Sequence, residues 1–146
     1  MTSHYRNAFK VYKKVEKAND LEKASHEIVL VVLKQLDKNI NLLMCEIDKK
    51  KAFQISRQKS SLLQVQKTIS KYMARSLSSI YALQTSLNFE KGGKIATNLF
   101  QLYEYCRAQI IQAFCINDYT NLKKARAALD EIIIAWDTMC SKSNAW

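Results

Sequence analysis

Residues 86–105 read SLNFEKGGKIATNLFQLYEY and contain the only two glycines of the chain, Gly92 and Gly93. The chain of 146 residues has no proline. On both sides of the glycine pair, apolar residues recur at the three- and four-residue spacing of amphipathic helices. Because glycine tolerates backbone angles that other residues avoid, the pair predicts a sharp turn between two long helices.

The composition agrees with a single helical domain. The chain is 48% hydrophobic and 25% charged, with two glycines and no proline, which favours long helices over a turn-rich β fold. No apolar run approaches the roughly 20 residues that a membrane-spanning helix needs. The first residues lack the apolar segment of a secretory signal, so we expect a cytosolic protein.

The hydrophobic periodicity predicts an all-α fold, an antiparallel up-and-down four-helix bundle formed by residues 1–146 as one domain. Ser25 is a suitable N-cap for the first helix, which ends at the lysines 49–51. The second helix is predicted from Ala52 to Leu87, with Ile55 at the start of its inward stripe. The other two are predicted from the glycine pair to Ile116, with Ile95 inward, and from Tyr119 to about Cys140. Asn117-Asp118 is expected to end the third helix and cap the fourth.

The two ends of the chain are predicted to lie outside this bundle. Tyr5, Phe9 and Tyr12 share one face of a short amphipathic helix over residues 5–16, which Asn19-Asp20 ends. This N-terminal arm, residues 1–20, is too short to be stable unless it docks on another surface. Residues 141–146 are predicted to be a frayed tail.

The sequence offers no constellation for catalysis or metal binding. Its two histidines, His4 and His26, do not follow a glutamate at the spacing of a di-iron bundle, and no phosphate-binding loop is present. Cys45, Cys106, Cys115 and Cys140 are scattered, as buried cysteines in a reducing compartment are. We therefore expect no enzyme, no cofactor and no metal.

The charge is high and unevenly distributed. Of the net charge of +10, residues 1–75 carry +9, and no acidic residue occurs from Lys49 to Phe89. A solvated basic helix face is the favoured interpretation, and the alternative is a nucleic-acid-binding or regulatory helical protein. Phe53 and Tyr72 are the only aromatic residues in the basic stretch, residues 49–75, so base stacking has little support.

The apolar surface exceeds what a bundle core requires. The first and third helices carry more apolar positions than one inward stripe, and such bundles usually oligomerise or bind an amphipathic segment. We expect a monomer or a weak homo-oligomer, and the N-terminal arm is a candidate to cover such a groove.

The opening segment also resembles a known family. Leu87-Asn88-Phe89-Glu90-Lys91-Gly92-Gly93, followed by Ile95-Ala96, Asn98-Leu99 and Leu102-Tyr103, is similar to the signature of the FliS family of bacterial flagellar export chaperones. Asn117-Asp118 and Trp136 stand where that family has an Asn-Asp turn and a late tryptophan. Tyr5-x-x-Ala8-Phe9 and Ala24-Ser25 resemble its N-terminal motifs.

This resemblance implies an antiparallel helical bundle that binds the disordered C-terminal segment of flagellin in the cytoplasm. Such a chaperone prevents premature polymerisation of flagellin and delivers it to the flagellar type III export apparatus. Export-gate components or a co-chaperone are further partners that it suggests.

The resemblance and the apolar surface together select candidate residues. The partner-binding candidates are Leu30, Val31, Ile40, Phe100, Tyr103, Ile111 and Phe114, with Tyr5 and Phe9 as a self-docking arm. For each of them the alternative is ordinary core packing. We expect structural roles for Ser25, Gly92, Gly93, Asn117 and Trp136.

Overall fold

The computed structural model describes the backbone of residues 2–144 and the side chains of residues 26–138. Within residues 2–144 it contains no strand and four helices, α1 (Thr2–Ser56), α2 (Lys59–Thr85), α3 (Phe89–Ile116) and α4 (Thr120–Asn144). Both α1 and α3 pack on α2 and α4, so the helices surround one core. The turns between them are short, which places consecutive helices antiparallel. The predicted all-α four-helix bundle is confirmed.

One apolar stripe of each helix forms the core, as the helical periodicity predicts. The fully buried side chains include Leu33, Leu36, Ile40, Leu43 and Ile47 of α1, Ile69 and Ile80 of α2, Tyr103, Cys106 and Ile110 of α3, and Leu122 and Leu129 of α4. Each large aliphatic side chain buried in this way stabilises the fold by roughly 1.5–3 kcal/mol.

Polar contacts fix α1 against α4 along the bundle. The Arg126 guanidinium donates to both carboxylate oxygens of Asp37, at 2.9 and 3.2 Å, and to Oδ1 of Asn41 at 3.0 Å. Near the C-terminal end of α1, Asn117 Nδ2, at the end of α3, donates to Gln54 Oε1 at 3.2 Å. The Arg126 contacts set the register of α1 against α4, and the Asn117 contact joins α1 to the turn between α3 and α4.

The first helix is longer than the sequence predicted. Since α1 is continuous from Thr2 to Ser56, the predicted break at Asn19-Asp20 and the N-cap at Ser25 are wrong. No glycine or proline interrupts this range, and asparagine, aspartate or serine within a helix costs less than about 0.7 kcal/mol relative to alanine. Tyr5 and Phe9 lie outside the residues whose side chains are described.

The boundary between α1 and α2 lies at Arg57 and Gln58, about six residues after the predicted one. Arg57 ends α1 with a positive φ of 57°. Gln58 stands at the N-cap of α2 and makes no capping bond with its side chain. Ile55 consequently belongs to the last turn of α1 and is 85% exposed, not part of the core.

The glycine pair is not the turn itself. The chain turns at residues 86–88, and Asn88 caps α3 by accepting a hydrogen bond from the Lys91 amide at 3.1 Å. Gly93 then kinks α3, with φ 49° and ψ −121°. The predicted need for an unusual backbone is therefore met at Gly93, inside the first turns of the helix.

The turn between α3 and α4 is where the sequence placed it. Asn117 ends α3 in the left-handed conformation, with φ 54°. At the start of α4, the Thr120 hydroxyl donates to the carboxylate oxygens of Asp118, at 3.1 and 3.2 Å. The helix continues to Asn144, four residues beyond the predicted end at Cys140 and into the predicted tail.

Candidate functional site

An apolar pocket of about 530 Å³ opens at the end of the bundle where α2 turns into α3. Its volume lies within the range of about 300–1,000 Å³ that is usual for binding pockets. Its walls come from α1, the turn at residues 86–88, α3 and α4. Among the lining residues are Val29 of α1, Leu87 of the turn, Ile95, Leu99 and Tyr103 of α3, and Trp136 of α4.

The two glycines shape one wall of this pocket. Gly92 lines it directly, and a Cβ atom at this position would lie 2.8 Å from the Cβ of Ala96. The kink at Gly93 changes the direction of the helix just before Ile95. The close approach at Gly92 and the backbone angles at Gly93 thus place the first turn of α3 beside the pocket.

Trp136 is held in place on the opposite wall. Its indole Nε1 donates a hydrogen bond of 2.9 Å to the backbone carbonyl of His26. The His26 ring contacts the indole edge-to-face, with the ring centroids 5.9 Å apart and an interplanar angle of 88°. This arrangement satisfies the polar atom of the indole while its apolar ring faces the cavity.

The structure divides the predicted partner-binding residues between core and surface. Ile40 and Tyr103 are 0% and 1% exposed, so they belong to the core, although Tyr103 also reaches the pocket. Val31 is 65% exposed, Phe100 and Phe114 are 38% exposed, and Leu30 and Ile111 are half-buried. Among the candidates with described side chains, these five lie at the surface, and Tyr103 is accessible only through the pocket.

Sequence reasoning missed several exposed apolar side chains. Ile95, predicted to face the core, is 71% exposed. Phe89 is half-exposed and meets Phe100 edge-to-face, with ring centroids 6.1 Å apart. The signal that could have found Phe89 is the adjacent glycine pair, because a kink there puts the residues before it out of phase with the rest of the helix.

A polar network joins α2 to α3 beside these aromatic residues. Gln84 Nε2 donates to Glu104 Oε1 at 2.7 Å, and the Arg107 guanidinium donates to both Glu104 oxygens, at 2.9 to 3.3 Å. The hydrogen bonds from Arg107, followed by the one from Gln84, lower the pKa of the Glu104 carboxyl. Glu104 is thus ionised at neutral pH, and its hydrogen bond with Gln84 links α3 to α2.

The side chains of residues 26–138 offer no arrangement for reaction chemistry. Among the described residues no group of histidine, cysteine, aspartate and glutamate could hold a metal ion. Burial raises the pKa of the Cys106 thiol to about 11, which keeps it protonated and unreactive. In the described part of the chain, no helix contains an apolar segment long enough to cross a membrane.

The fold and the pocket define the chain as an all-α four-helix bundle with an apolar pocket beside the turn between α2 and α3. The chain matches the family model for the flagellar protein FliS over residues 8–143 and belongs to the FliS family. The family comprises chaperones, and this confirms the prediction that the chain is not an enzyme.

Three curated relatives are similar to about two fifths of the chain. The flagellar secretion chaperone FliS of Salmonella typhimurium is 37% identical over 62 residues, which are 42% of this chain and 46% of the relative. FliSB of Pseudomonas aeruginosa is 35% identical over 65 residues, 44% of this chain and 52% of the relative. FliS of Vibrio cholerae is 40% identical over 65 residues, which are 44% of this chain and 48% of the relative.

Each alignment spans about half the length of the curated relative. No solved structure matches the chain significantly.

Proposed function

We propose that the chain is a cytosolic flagellar secretion chaperone that binds the disordered C-terminal segment of flagellin. By holding this segment it prevents premature polymerisation and delivers the subunit to the flagellar type III export apparatus. Membership of the FliS family supports this role. The structural observation that carries it is the apolar pocket bounded by Leu87, Ile95, Leu99 and Trp136.

The pocket suits a segment that folds as it binds. A disordered client loses conformational entropy on binding, and burial of its apolar side chains must offset that loss. Each large apolar side chain that enters a dry pocket contributes roughly 1.5–3 kcal/mol. Because the walls come from α1, α3 and α4, the bundle supplies the pocket before the client arrives.

The exposed apolar residues outside the pocket extend the proposed contact surface. Phe100 and Phe114 lie on α3, and Val31 lies on α1. The self-docking role of Tyr5 and Phe9, the weak self-association and the contacts with export-gate components or a co-chaperone remain predictions of the sequence.

The direct test is binding of the C-terminal segment of about 40 residues of a flagellin encoded in the same genome, a length able to wrap a bundle. Calorimetry with the purified chain should show a complex and a negative heat-capacity change from apolar burial. The absence of any complex with the folded chain would reject the proposal.

A matched pair of variants locates the contact. Ile95→Glu places a charge at the pocket mouth, where the native side chain is 71% exposed, so the fold should tolerate it. Ile134→Glu makes the same change at a 59% exposed residue of α4 that does not line the pocket. We expect only Ile95→Glu to weaken binding, by about tenfold or more, because it removes an apolar contact and introduces a charge to be desolvated. Equal effects of the two variants would place the client elsewhere.

A further inference from the structure

A row of basic side chains on α2 has no counter-charge in the described structure. Lys67, Lys71 and Arg75 follow one another at four-residue intervals and are all exposed. None of them lies within ion-pair distance of a carboxylate of residues 26–138, and α2 itself contains no acidic residue. We call these three residues the basic strip.

Several cations elsewhere in the bundle are paired. Lys49 contacts Glu46, Lys51 contacts Asp118, and Arg107 contacts Glu104, each at 2.9 to 3.4 Å. Like charges four residues apart on a helix repel one another and weaken it. The basic strip is thus mildly unfavourable in the isolated chain, and an acidic partner would reverse that effect.

Apolar side chains extend the same surface of α2. Leu63 continues the four-residue row ahead of Lys67 and is 61% exposed, and Tyr81, beyond Arg75, is 69% exposed. Between them the exposed positions Ser70, Ala74 and Ser78 have short side chains. A second helix can therefore approach α2 closely and place both apolar and acidic residues against it.

We propose that the basic strip binds a helical part of the client segment that carries aspartate or glutamate at four-residue spacing. This inference rests on the proposed function and adds the chemistry of the partner. Successive members of the strip rise about 6 Å along the helix axis, and carboxylates spaced by four residues on a client helix rise equally. Nucleic acid fits less well, because the exposed Leu63 offers neither a positive charge for a phosphate nor a ring on which a base could stack.

The experiment uses the full chain and, as probe, the C-terminal segment of about 40 residues of a flagellin from the same genome. Lys67→Glu/Lys71→Glu is compared with the control Lys123→Glu/Lys124→Glu, whose residues are exposed on α4. Each double variant lowers the net charge by four, from +10 to +6, so long-range effects are matched. Circular dichroism establishes that both variants fold, and binding kinetics are recorded at 50 and 500 mM NaCl.

We expect Lys67→Glu/Lys71→Glu to weaken binding by about tenfold at 50 mM NaCl, mainly through a slower association rate. The difference should shrink at 500 mM, where the Debye length is only about 4 Å. The control should bind within about twofold of the native chain, since ion pairs act at short range.

Two outcomes would overturn the inference and leave the proposed function intact. In one, the native chain binds the segment and both double variants bind it equally well. In the other, the strip is needed to retard a single-stranded 30-mer of DNA in a gel but has no effect on the segment. Failure of the native chain to bind the segment at either salt concentration would instead reject the proposed function itself.

Discussion

Replacement of Gly93 by alanine tests the kink in α3 in isolation. With φ 49° and ψ −121°, Gly93 occupies a region of backbone angles that residues with a Cβ atom rarely adopt. A Cβ atom at this position would meet no other heavy atom within 4 Å. The substitution therefore introduces backbone strain and no side-chain clash.

The expected loss follows from two opposing terms. Residues forced into sparsely populated backbone regions cost about 1–3 kcal/mol. Replacing glycine by alanine also lowers the conformational entropy of the unfolded chain, which stabilises the folded state by about 0.4–1 kcal/mol. We expect Gly93→Ala to lower the free energy of unfolding by about 1–2 kcal/mol, which corresponds to about 2–8 °C in Tm for a chain of this size.

Urea unfolding followed by circular dichroism measures this change. The midpoint should fall while the slope with denaturant stays constant, because the surface exposed on unfolding is unchanged. Lys94→Ala is the matched control, since Lys94 is the next residue, is exposed and needs no special backbone angles. An unchanged midpoint for Gly93→Ala would refute the left-handed conformation at this residue.

Gly92 should respond for a different reason, which a double-mutant cycle can separate. Gly92→Ala brings its Cβ to 2.8 Å from that of Ala96, well inside the optimum of about 3.5–4.0 Å. Ala96→Gly should therefore relieve part of the loss caused by Gly92→Ala and none of that caused by Gly93→Ala. Identical coupling of Ala96 to both glycines would contradict this division.

Three further predictions concern the bundle. Asp37→Ala removes both acceptors of a two-point hydrogen bond from Arg126 and should cost about 1 kcal/mol in urea unfolding, less at high salt. Asn39→Leu should raise the free energy of unfolding by about 1 kcal/mol, because Asn39 is 2% exposed and its Oδ1 has no hydrogen-bond partner in the described structure. Burial raises the pKa of Tyr103 from 10.0 to about 12. Its stabilisation is complete below pH 10 and is lost as the pH rises from 10 to 12, so Tyr103→Phe should reduce the alkaline loss of stability by about 1–2 kcal/mol, measured at pH 8 and 11.

The core could be predicted from the sequence because helical periodicity is a repeated signal. Leu33, Leu36, Ile40 and Leu43 lie on one face of a helix wherever the helix begins. A boundary depends instead on one or two residues. Arg57 and Gln58 are neither glycine nor common caps, and the chain nevertheless turns there, since the packing of two long apolar faces outweighs such weak local preferences.

The pocket could not be predicted in the same way. His26, Leu87 and Trp136 meet in its walls although long stretches of sequence separate them. The exposure of Ile95 also shows that helical periodicity predicts burial only where a neighbouring helix lies opposite the apolar face. Its position just after the kink, beside the turn between α2 and α3, leaves an apolar side chain of the correct phase exposed.

The pocket and the basic strip would make different contributions to binding. Apolar burial is non-directional, so a client helix in an apolar groove can slide by one turn or reverse with little change in contact area. Ion pairs depend on the positions of individual charges, and a strip whose members rise about 6 Å per step disfavours registers that leave one of its charges unpaired. We therefore expect the pocket to supply most of the affinity and the basic strip to restrict the register of the client. On this view, reversing the charges of Lys67 and Lys71 should leave a complex that is weaker and also more heterogeneous in register. Cross-linking from a single labelled position on α2 would detect that heterogeneity as several client sites in place of one.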